Sequence, residues 1–313
     1  MDFRFLISSS GRIFRTLLLF VWMIPLIAEG QDSYSITDSG KMDTKALRKA
    51  ILFESGYYTA AMIVLQNTWY NDKQIAPFHF YNDNKAYLQV DKFGHAFGSY
   101  IESYIGYQTL LQRGVSRTKA IIYGGSLGLI LQTPIEIMDG IHEGWGFSWG
   151  DMAANAFGSG FVIGQELLFD EQLIKYKFSY KESDYSHSAN GYLGKSSLER
   201  LLKDYNGHTY WLSMPLNRMV QNKHIPEWLN FAVGYGANGM YGEYDNISHY
   251  NGFDLPSVTR YRQYLISLDV DWSKIKTDSR FIKILLKGIT FIKLPFATLE
   301  YNSMGKFKGY WMY

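Results

Sequence analysis

The sequence predicts an α+β protein in which an N-terminal bundle of about four helices is followed by a β-rich C-terminal region, either a small sheet or a partial barrel. Up to about residue 170 the chain has long apolar stretches, such as the 17 uncharged residues from Ser55 to Asn71. Beyond residue 170, short aromatic and β-branched runs alternate with Gly/Asn/Asp-rich breaks. Aromatic residues make up 17% of the chain, which is typical of an aromatic-rich β surface or of a membrane interface.

The first thirty residues have the features of a secretory signal peptide. Arg12 and Arg15 precede the apolar run "TLLLFVWMIPLIAEG", in which Ala28 and Gly30 are the small residues expected near a cleavage site. We predict a signal peptide over 1–30, a helical domain over 31–170 and a β-rich region over 171–313. An uncleaved N-terminal anchor is the alternative, although the apolar run is short for one.

Apolar periodicity predicts four helices in the first half of the chain. The first covers about 44–70, and the second covers about 91–112 and ends at Gly114, a residue favoured after a helix C-terminus. The third runs from about 116 to 140 with Pro134 inside it, and the fourth covers about 151–169. The loop "HEGWGFSWG" joins the last two helices.

About five strands are predicted in the second half. They fall on the segments "LIKYKFSY", "HTYWLSMPL", "LNFAVGYGANGMYG", "YRQYLISLDVDW" and "ITFIKLPFATLEY", each of which is rich in aromatic and β-branched residues. The chain ends in "GKFKGYWMY", where Trp311 and Tyr313 alternate as in the aromatic C-terminal strand of outer-membrane proteins.

Composition excludes several function classes. The sequence contains no cysteine, which excludes disulfides, thiolate metal ligands, cysteine nucleophiles and a lipidated cysteine. The formal net charge is only +2, so no nucleic acid partner is expected. The sequence also contains no phosphate-binding loop and no dinucleotide-binding motif.

Three consecutive predicted helices each carry a narrow polar strip on an otherwise apolar surface. At 100° per residue, acids, amides and glycines fall on one side of each helix. Such strips either face water or face one another, and glycine favours the second arrangement because it destabilises a solvent-exposed helix. The predicted polar centre consists of Asp91, Lys92, His95, Glu102, Glu136, Asp139, Asp151 and Asn155.

Several of these residues also have simple structural roles. Asp151 follows Ser148 in an S-x-x-D capping pattern at a helix N-terminus. Lys92 is interpreted as a solvated side chain or as a partner of Glu102 or Glu136.

A catalytic site is the alternative to a structural polar centre. His95 is the candidate general base, with Glu136 or Asp139 as its partner or as metal ligands. No compact H-E-x-x-H motif is present, and we predict neither a metal nor a cofactor.

At the level of motifs, the sequence resembles the YfiM-like family of uncharacterised, predicted periplasmic lipoproteins. The resemblance covers residues 85–168 and lies in "DKFGH", "PIEIMDGIHEG" and "FSWGDMAANAFGSGFVIG". The order D-K-x-x-H, an acidic helix end and S-x-x-D-x-x-A-N-x-x-G is also similar to that of VanZ-like membrane proteins. The long C-terminal region resembles the extended form of the family in Bacteroidetes-type bacteria. The resemblance implies a role for Asp91, Lys92, His95, Glu136, Asp139, Asp151 and Asn155, but no particular reaction.

The sequence thus predicts a non-enzymatic protein of the bacterial cell envelope, in the periplasm or at the outer membrane. Its expected partners are membrane lipid and an envelope protein of unknown identity. The polar centre is expected to fix the helices in register or to bind a small polar group such as a lipid head group. The alternative is an envelope hydrolase or transferase that acts on lipid or cell-wall precursors.

Overall fold

The computed structural model describes residues 42–71 and 73–313, so the predicted signal peptide lies outside the described residues. Four helices come first and a six-stranded antiparallel sheet follows, which confirms the predicted α+β class. The helices are α1 (Thr44–Leu65), α2 (Val90–Gln112), α3 (Arg117–Gly140) and α4 (Trp149–Phe169).

Local signals in the sequence explain where these helices begin. The Asp43 side chain accepts a hydrogen bond from the amide of Ala46 at the start of α1. The predicted cap of α4 is confirmed, because Ser148 Oγ accepts a hydrogen bond from the amide of Asp151 at 3.1 Å. The third helix is less regular than predicted, since Ala120–Gly124 is wound as a π-helical turn.

Glycines mark the places where helix backbones touch. A Cβ atom on Gly158 of α4 would lie 2.2 Å from the carbonyl oxygen of Ala96 on α2. A Cβ atom on Gly128 of α3 would lie 2.0 Å from the carbonyl oxygen of Ser99 on α2. Both helices therefore approach α2 more closely than any residue with a side chain would allow.

Buried serine hydroxyls connect the same three helices. Ser159 Oγ lies 3.0 Å from Ser99 Oγ and 2.8 Å from Ser103 Oγ. Ser159 Oγ also accepts a hydrogen bond from the amide of Leu129, and Ser103 Oγ accepts one from the amide of Gly128. These bonds satisfy two backbone amides at the start of the regular part of α3, which an interrupted helix would otherwise leave unpaired.

The sheet has the strand order β1-β2-β3-β6-β7-β8. Its strands are β1 (Lys175–Tyr180), β2 (His208–Pro215), β3 (Leu229–Asn238), β6 (Tyr261–Val270), β7 (Thr298–Asn302) and β8 (Phe307–Tyr310). A separate hairpin pairs β4 (His249–Tyr250) with β5 (Phe253–Asp254). The remaining helices are α5 (Ser197–Lys203), α6 (Leu216–Met219) and α7 (Arg280–Gly288).

The five predicted strand segments overlap β1, β2, β3, β6 and β7. The last of them differs in detail: Ile289–Phe291 is a 3-10 turn, and β7 begins only at Thr298. Pro295 lies between these elements, where it provides no amide for strand pairing.

Helices and sheet share one hydrophobic core. Phe97 and Tyr100 of α2 pack against Tyr176, Phe178 and Tyr210 of the first two strands. The opposite side of the sheet buries polar groups.

The best-buried ion pair of that side joins Lys177 to Asp269. Lys177 Nζ lies 2.6 Å from Asp269 Oδ2 and donates a hydrogen bond to the carbonyl oxygen of Val270. Ser213 Oγ donates a hydrogen bond to the same carboxylate. The charges are therefore paired within the protein, as buried charges require.

Candidate functional site

Charged side chains meet where the first turns of α2 and α4 approach the C-terminal half of α3. We call this group the ionic cluster. It contains one residue of the loop before α2, three residues of α2, one of α3 and two of α4: Asp83; Asp91, Lys92 and His95; Glu136; Asp151 and Asn155.

Lys92 is the centre of the carboxylate side of the cluster. Its Nζ atom lies 2.8 Å from Asp83 Oδ2, 3.3 Å from Asp91 Oδ2 and 2.7 Å from Asp151 Oδ1. Burial lowers the pKa of Lys92, but the carboxylates of Asp91 and Asp151 outweigh it and raise the pKa above its ordinary value. Lys92 is therefore a permanent cation of this site and does not have the solvated role considered from the sequence.

His95 links this carboxylate side to the interior. Its Nδ1 atom lies 3.3 Å from Glu136 Oε1, and its Nε2 atom lies 3.7 Å from Asp151 Oδ1 and 3.9 Å from Asp91 Oδ1. Burial lowers the pKa of His95, but Asp151, Asp91 and Glu136 together raise it to about 9. His95 is therefore protonated at neutral pH.

Glu136 and Asn155 form the floor of the cluster, and both are fully buried. Asn155 Nδ2 lies 3.5 Å from Glu136 Oε1, at the outer limit of a hydrogen bond. Glu136 Oε2 and Asn155 Oδ1 have no hydrogen-bond partner in the structure. Burial raises the pKa of Glu136 to about 8, so that at neutral pH a proton neutralises this carboxyl group.

Two residues predicted for the polar centre lie beside the cluster and make no direct ion pair with it in the described structure. Glu102 accepts a hydrogen bond from Gln132 Nε2 at 3.0 Å, and burial raises its pKa to about 8. Asp139 accepts a hydrogen bond from the Tyr70 hydroxyl at 2.6 Å, and burial raises its pKa to about 6.

Sequence reasoning missed two contributors. Asp83 binds Lys92 and accepts a hydrogen bond from Ser148 Oγ, although the surrounding segment "YNDNK" has only the composition of a loop. Tyr205 donates a hydrogen bond to Asp91 Oδ1 at 3.0 Å from more than 100 residues away. No local sequence signal indicates either contact.

Three ligand atoms of the cluster are close enough to surround a metal ion. Asp91, His95 and Asp151 each offer one atom, and these atoms lie within 4.8 Å of one another. The Lys92 ammonium group contacts both carboxylates and already supplies positive charge there. Because Lys92 already pairs with both carboxylates and protonated His95 has no free lone pair to offer, these three residues do not suit a metal ion.

A protein-family model matches part of the helical region of the chain. Residues 79–165 match the model of DUF2279, a family described as predicted periplasmic lipoproteins. The matched region contains α2, α3, most of α4 and all the residues of the ionic cluster. No curated protein and no solved structure matches the chain. The match to an uncharacterised periplasmic family confirms the predicted location in the cell envelope.

Proposed function

We propose that this protein is a membrane-associated, non-enzymatic envelope protein whose ionic cluster binds a small group that carries positive charge and N–H donors. One observation carries the proposal: two fully buried oxygens at the floor of the cluster, Glu136 Oε2 and Asn155 Oδ1, have no hydrogen-bond partner, and both are acceptors once Glu136 is ionised. Buried polar atoms are rarely left unpaired, because each costs about 1–3 kcal/mol. A bound donor would satisfy both atoms.

The charges of the cluster favour the same ligand. The four carboxyl groups of Asp83, Asp91, Glu136 and Asp151 face only two cations, Lys92 and His95. With every group ionised, two negative charges remain. A ligand cation would supply part of the missing charge, which the proton on Glu136 supplies in its absence.

The alternative of an envelope hydrolase or transferase has less support. A general base must be unprotonated near the operating pH, whereas the surrounding carboxylates keep His95 protonated up to about pH 9. Ser148, the serine nearest to the cluster along the chain, already donates to Asp83 and caps α4. A binding role requires neither a free base nor a nucleophile.

Exposed apolar side chains support membrane association. Among the described residues, α3 alone has the length and hydropathy of a membrane-crossing helix. Large apolar side chains are exposed on α1, α3 and α4 and on β6 and β7, where they continue the sheet face that packs against the helices at β1 and β2: Leu52, Ile63, Ile122, Ile130, Phe157, Leu168, Tyr264, Ile266, Leu299 and Tyr301. Apolar exposure on this scale is typical of a surface that contacts lipid or a partner. The resemblance to YfiM-like and VanZ-like proteins also favours a location in the cell envelope.

The ligand proposal is tested with small ammonium compounds. The melting temperature of the purified protein is measured with ethanolamine, tetramethylammonium, sodium phosphate and magnesium or zinc salts. Ethanolamine at ten times its Kd should stabilise the protein by about 1.4 kcal/mol, whereas tetramethylammonium, which lacks N–H donors, should stabilise it less.

Two variants provide the controls. Glu136→Gln should abolish the response to ethanolamine, because it removes the floor carboxylate. Glu102→Gln makes the same change at a carboxyl group outside the cluster. Burial also raises the pKa of Glu102 to about 8, and this variant should retain the response to ethanolamine. No response to any amine, equal responses of the two variants or stabilisation by a divalent metal alone would contradict the proposal.

A further inference from the structure

An exposed aromatic patch borders the ionic cluster. The patch consists of Phe78, Phe80 and Trp149, whose side chains are 49%, 62% and 68% exposed. The Phe80 and Trp149 rings are stacked with centroids 6.1 Å apart, and both rings contact the buried Phe147. Three large exposed rings held on a buried fourth ring form a preorganised apolar surface.

Two of the chain segments that contribute to the cluster also form the patch. Phe80 and Phe147 pair through a backbone bridge, in which the amide of Tyr81 donates to the carbonyl oxygen of Phe147. Asp83 follows Phe80 by three residues, and Asp151 follows Trp149 by two. Two residues span about 7 Å at most, so the rings stand at the border of the carboxylates that hold Lys92.

The cluster opens to solvent on its Lys92 side. The side chains of Asp83, Asp91, Lys92 and His95 are 13–17% exposed, whereas Glu136 is fully buried. These partly exposed members are the side from which a head group would approach the floor, while the rest of its molecule stays outside, against the protein surface.

We propose that the ligand is a membrane lipid with a primary ammonium head group. The ammonium group enters the ionic cluster and donates to Glu136 Oε2 and Asn155 Oδ1, while Phe78, Phe80 and Trp149 lie at the membrane interface beside the acyl chains. The inference rests on the proposed function and extends it by naming the class of molecule that carries the cation.

The chemistry of the site selects among lipid head groups. An anionic head group without an amine would face the excess of carboxylates in the cluster, which repels it. A choline head group has positive charge but no N–H donor, so it leaves the two floor oxygens unpaired. A primary ammonium group supplies both the charge and the donors.

Vesicle co-sedimentation tests the inference. The purified protein is mixed with vesicles of phosphatidylcholine alone, of phosphatidylcholine with phosphatidylethanolamine and of phosphatidylcholine with phosphatidylglycerol. We expect binding to be about tenfold tighter with phosphatidylethanolamine than with phosphatidylcholine alone, as for the gain of a charge-assisted hydrogen bond. Glu136→Gln should remove this preference.

The patch is tested by Phe80→Ser combined with Trp149→Ser, with Phe253→Ser as a control at a ring that is 61% exposed on the separate β4–β5 hairpin. The double variant should lose vesicle binding but keep its stabilisation by soluble ethanolamine, and the control should keep both. Melting temperatures verify folding, and Trp149→Ser alone replaces the double variant if that variant unfolds.

The outcomes separate the two proposals. Soluble ethanolamine could stabilise the protein while vesicle affinity is unchanged by phosphatidylethanolamine or by the patch substitutions. In that case the lipid inference is wrong and the binding function stands. If ethanolamine itself has no effect, the proposed function fails. Preference for phosphatidylglycerol would overturn the lipid inference in favour of an anionic surface.

Discussion

Replacement of Glu136 by glutamine should stabilise the protein while it abolishes ligand binding. Glu136 is fully buried, and its pKa is about 8 compared with an ordinary value of 4.5. Because the folded state holds the proton more tightly than the unfolded chain, Glu136 costs no stability below pH 4.5. The cost grows as the pH rises from 4.5 and is complete above about pH 8.

The size of the effect follows from this pKa. At about 1.4 kcal/mol per pH unit, the cost at pH 7 is about 3 kcal/mol, and above pH 8 it approaches about 5 kcal/mol. Glutamine has nearly the same shape and carries no ionisable proton, so it avoids this cost. At pH 7 the protonated Glu136 is already neutral, and its contact with His95 at 3.3 Å loses little when an amide replaces the acid.

Urea unfolding at pH 4.5, 7 and 8.5 measures this difference. The free energy of unfolding of Glu136→Gln should equal that of the unchanged protein at pH 4.5 and exceed it by about 3 kcal/mol at pH 7. Glu102→Gln should show a similar gain, because burial also raises the pKa of Glu102 to about 8, but it should retain ethanolamine binding. A Glu136→Gln protein that is less stable at pH 7 would refute this reasoning and would indicate a purely structural role for the carboxylate.

Three further predictions concern packing and buried pairs. Gly158→Ala should destabilise the protein by about 3 kcal/mol in a denaturant titration, whereas Gly160→Ala, where a Cβ meets nothing within 4 Å, should be neutral or gain up to about 1 kcal/mol. Ser159→Ala should lower the free energy of unfolding by about 1–3 kcal/mol, because it leaves the partly buried backbone amide of Leu129 unpaired. Lys177→Met should cost about 3–5 kcal/mol, and Asp269→Asn added to it should recover part of that loss, as a double-mutant cycle would measure.

Much of the helical region could be predicted from sequence because its determinants are local. Apolar periodicity and capping residues located α1 to α4 to within a few residues, and same-face spacing put Asp91 and His95 on one strip of α2. The spacing of these residues does not show at which position along α2 a neighbouring helix makes contact. Glu102 lies on the same face as Asp91 but 11 residues away, about 16 Å along the axis, and contacts Gln132 instead.

The other contacts of the ionic cluster and the sheet depend on long-range packing, which no local pattern in a single sequence predicts. Tyr205 reaches Asp91 only because the sheet packs against α2, and Asp83 reaches Lys92 only because its loop pairs with the segment before α4. In β6 the alternation of side chains is clear, but the side that buries polar residues is set by neighbouring strands and by the ion pair of Lys177.

The energetics of Glu136 connect the fold with the proposed function. A carboxyl group that costs about 3 kcal/mol at pH 7 consumes a substantial part of the 5–15 kcal/mol by which a typical domain is stable. Close contacts at Gly128, Gly158 and the buried serines hold α3 and α4 against α2, and Glu136 is fully buried in the same bundle. A purely structural centre would be better served by glutamine, which would keep the contact with His95 without the cost of ionisation. The carboxylate is therefore best explained by a ligand cation that it must meet in its charged form, and binding of that cation should strengthen as the pH rises from 6 towards 8.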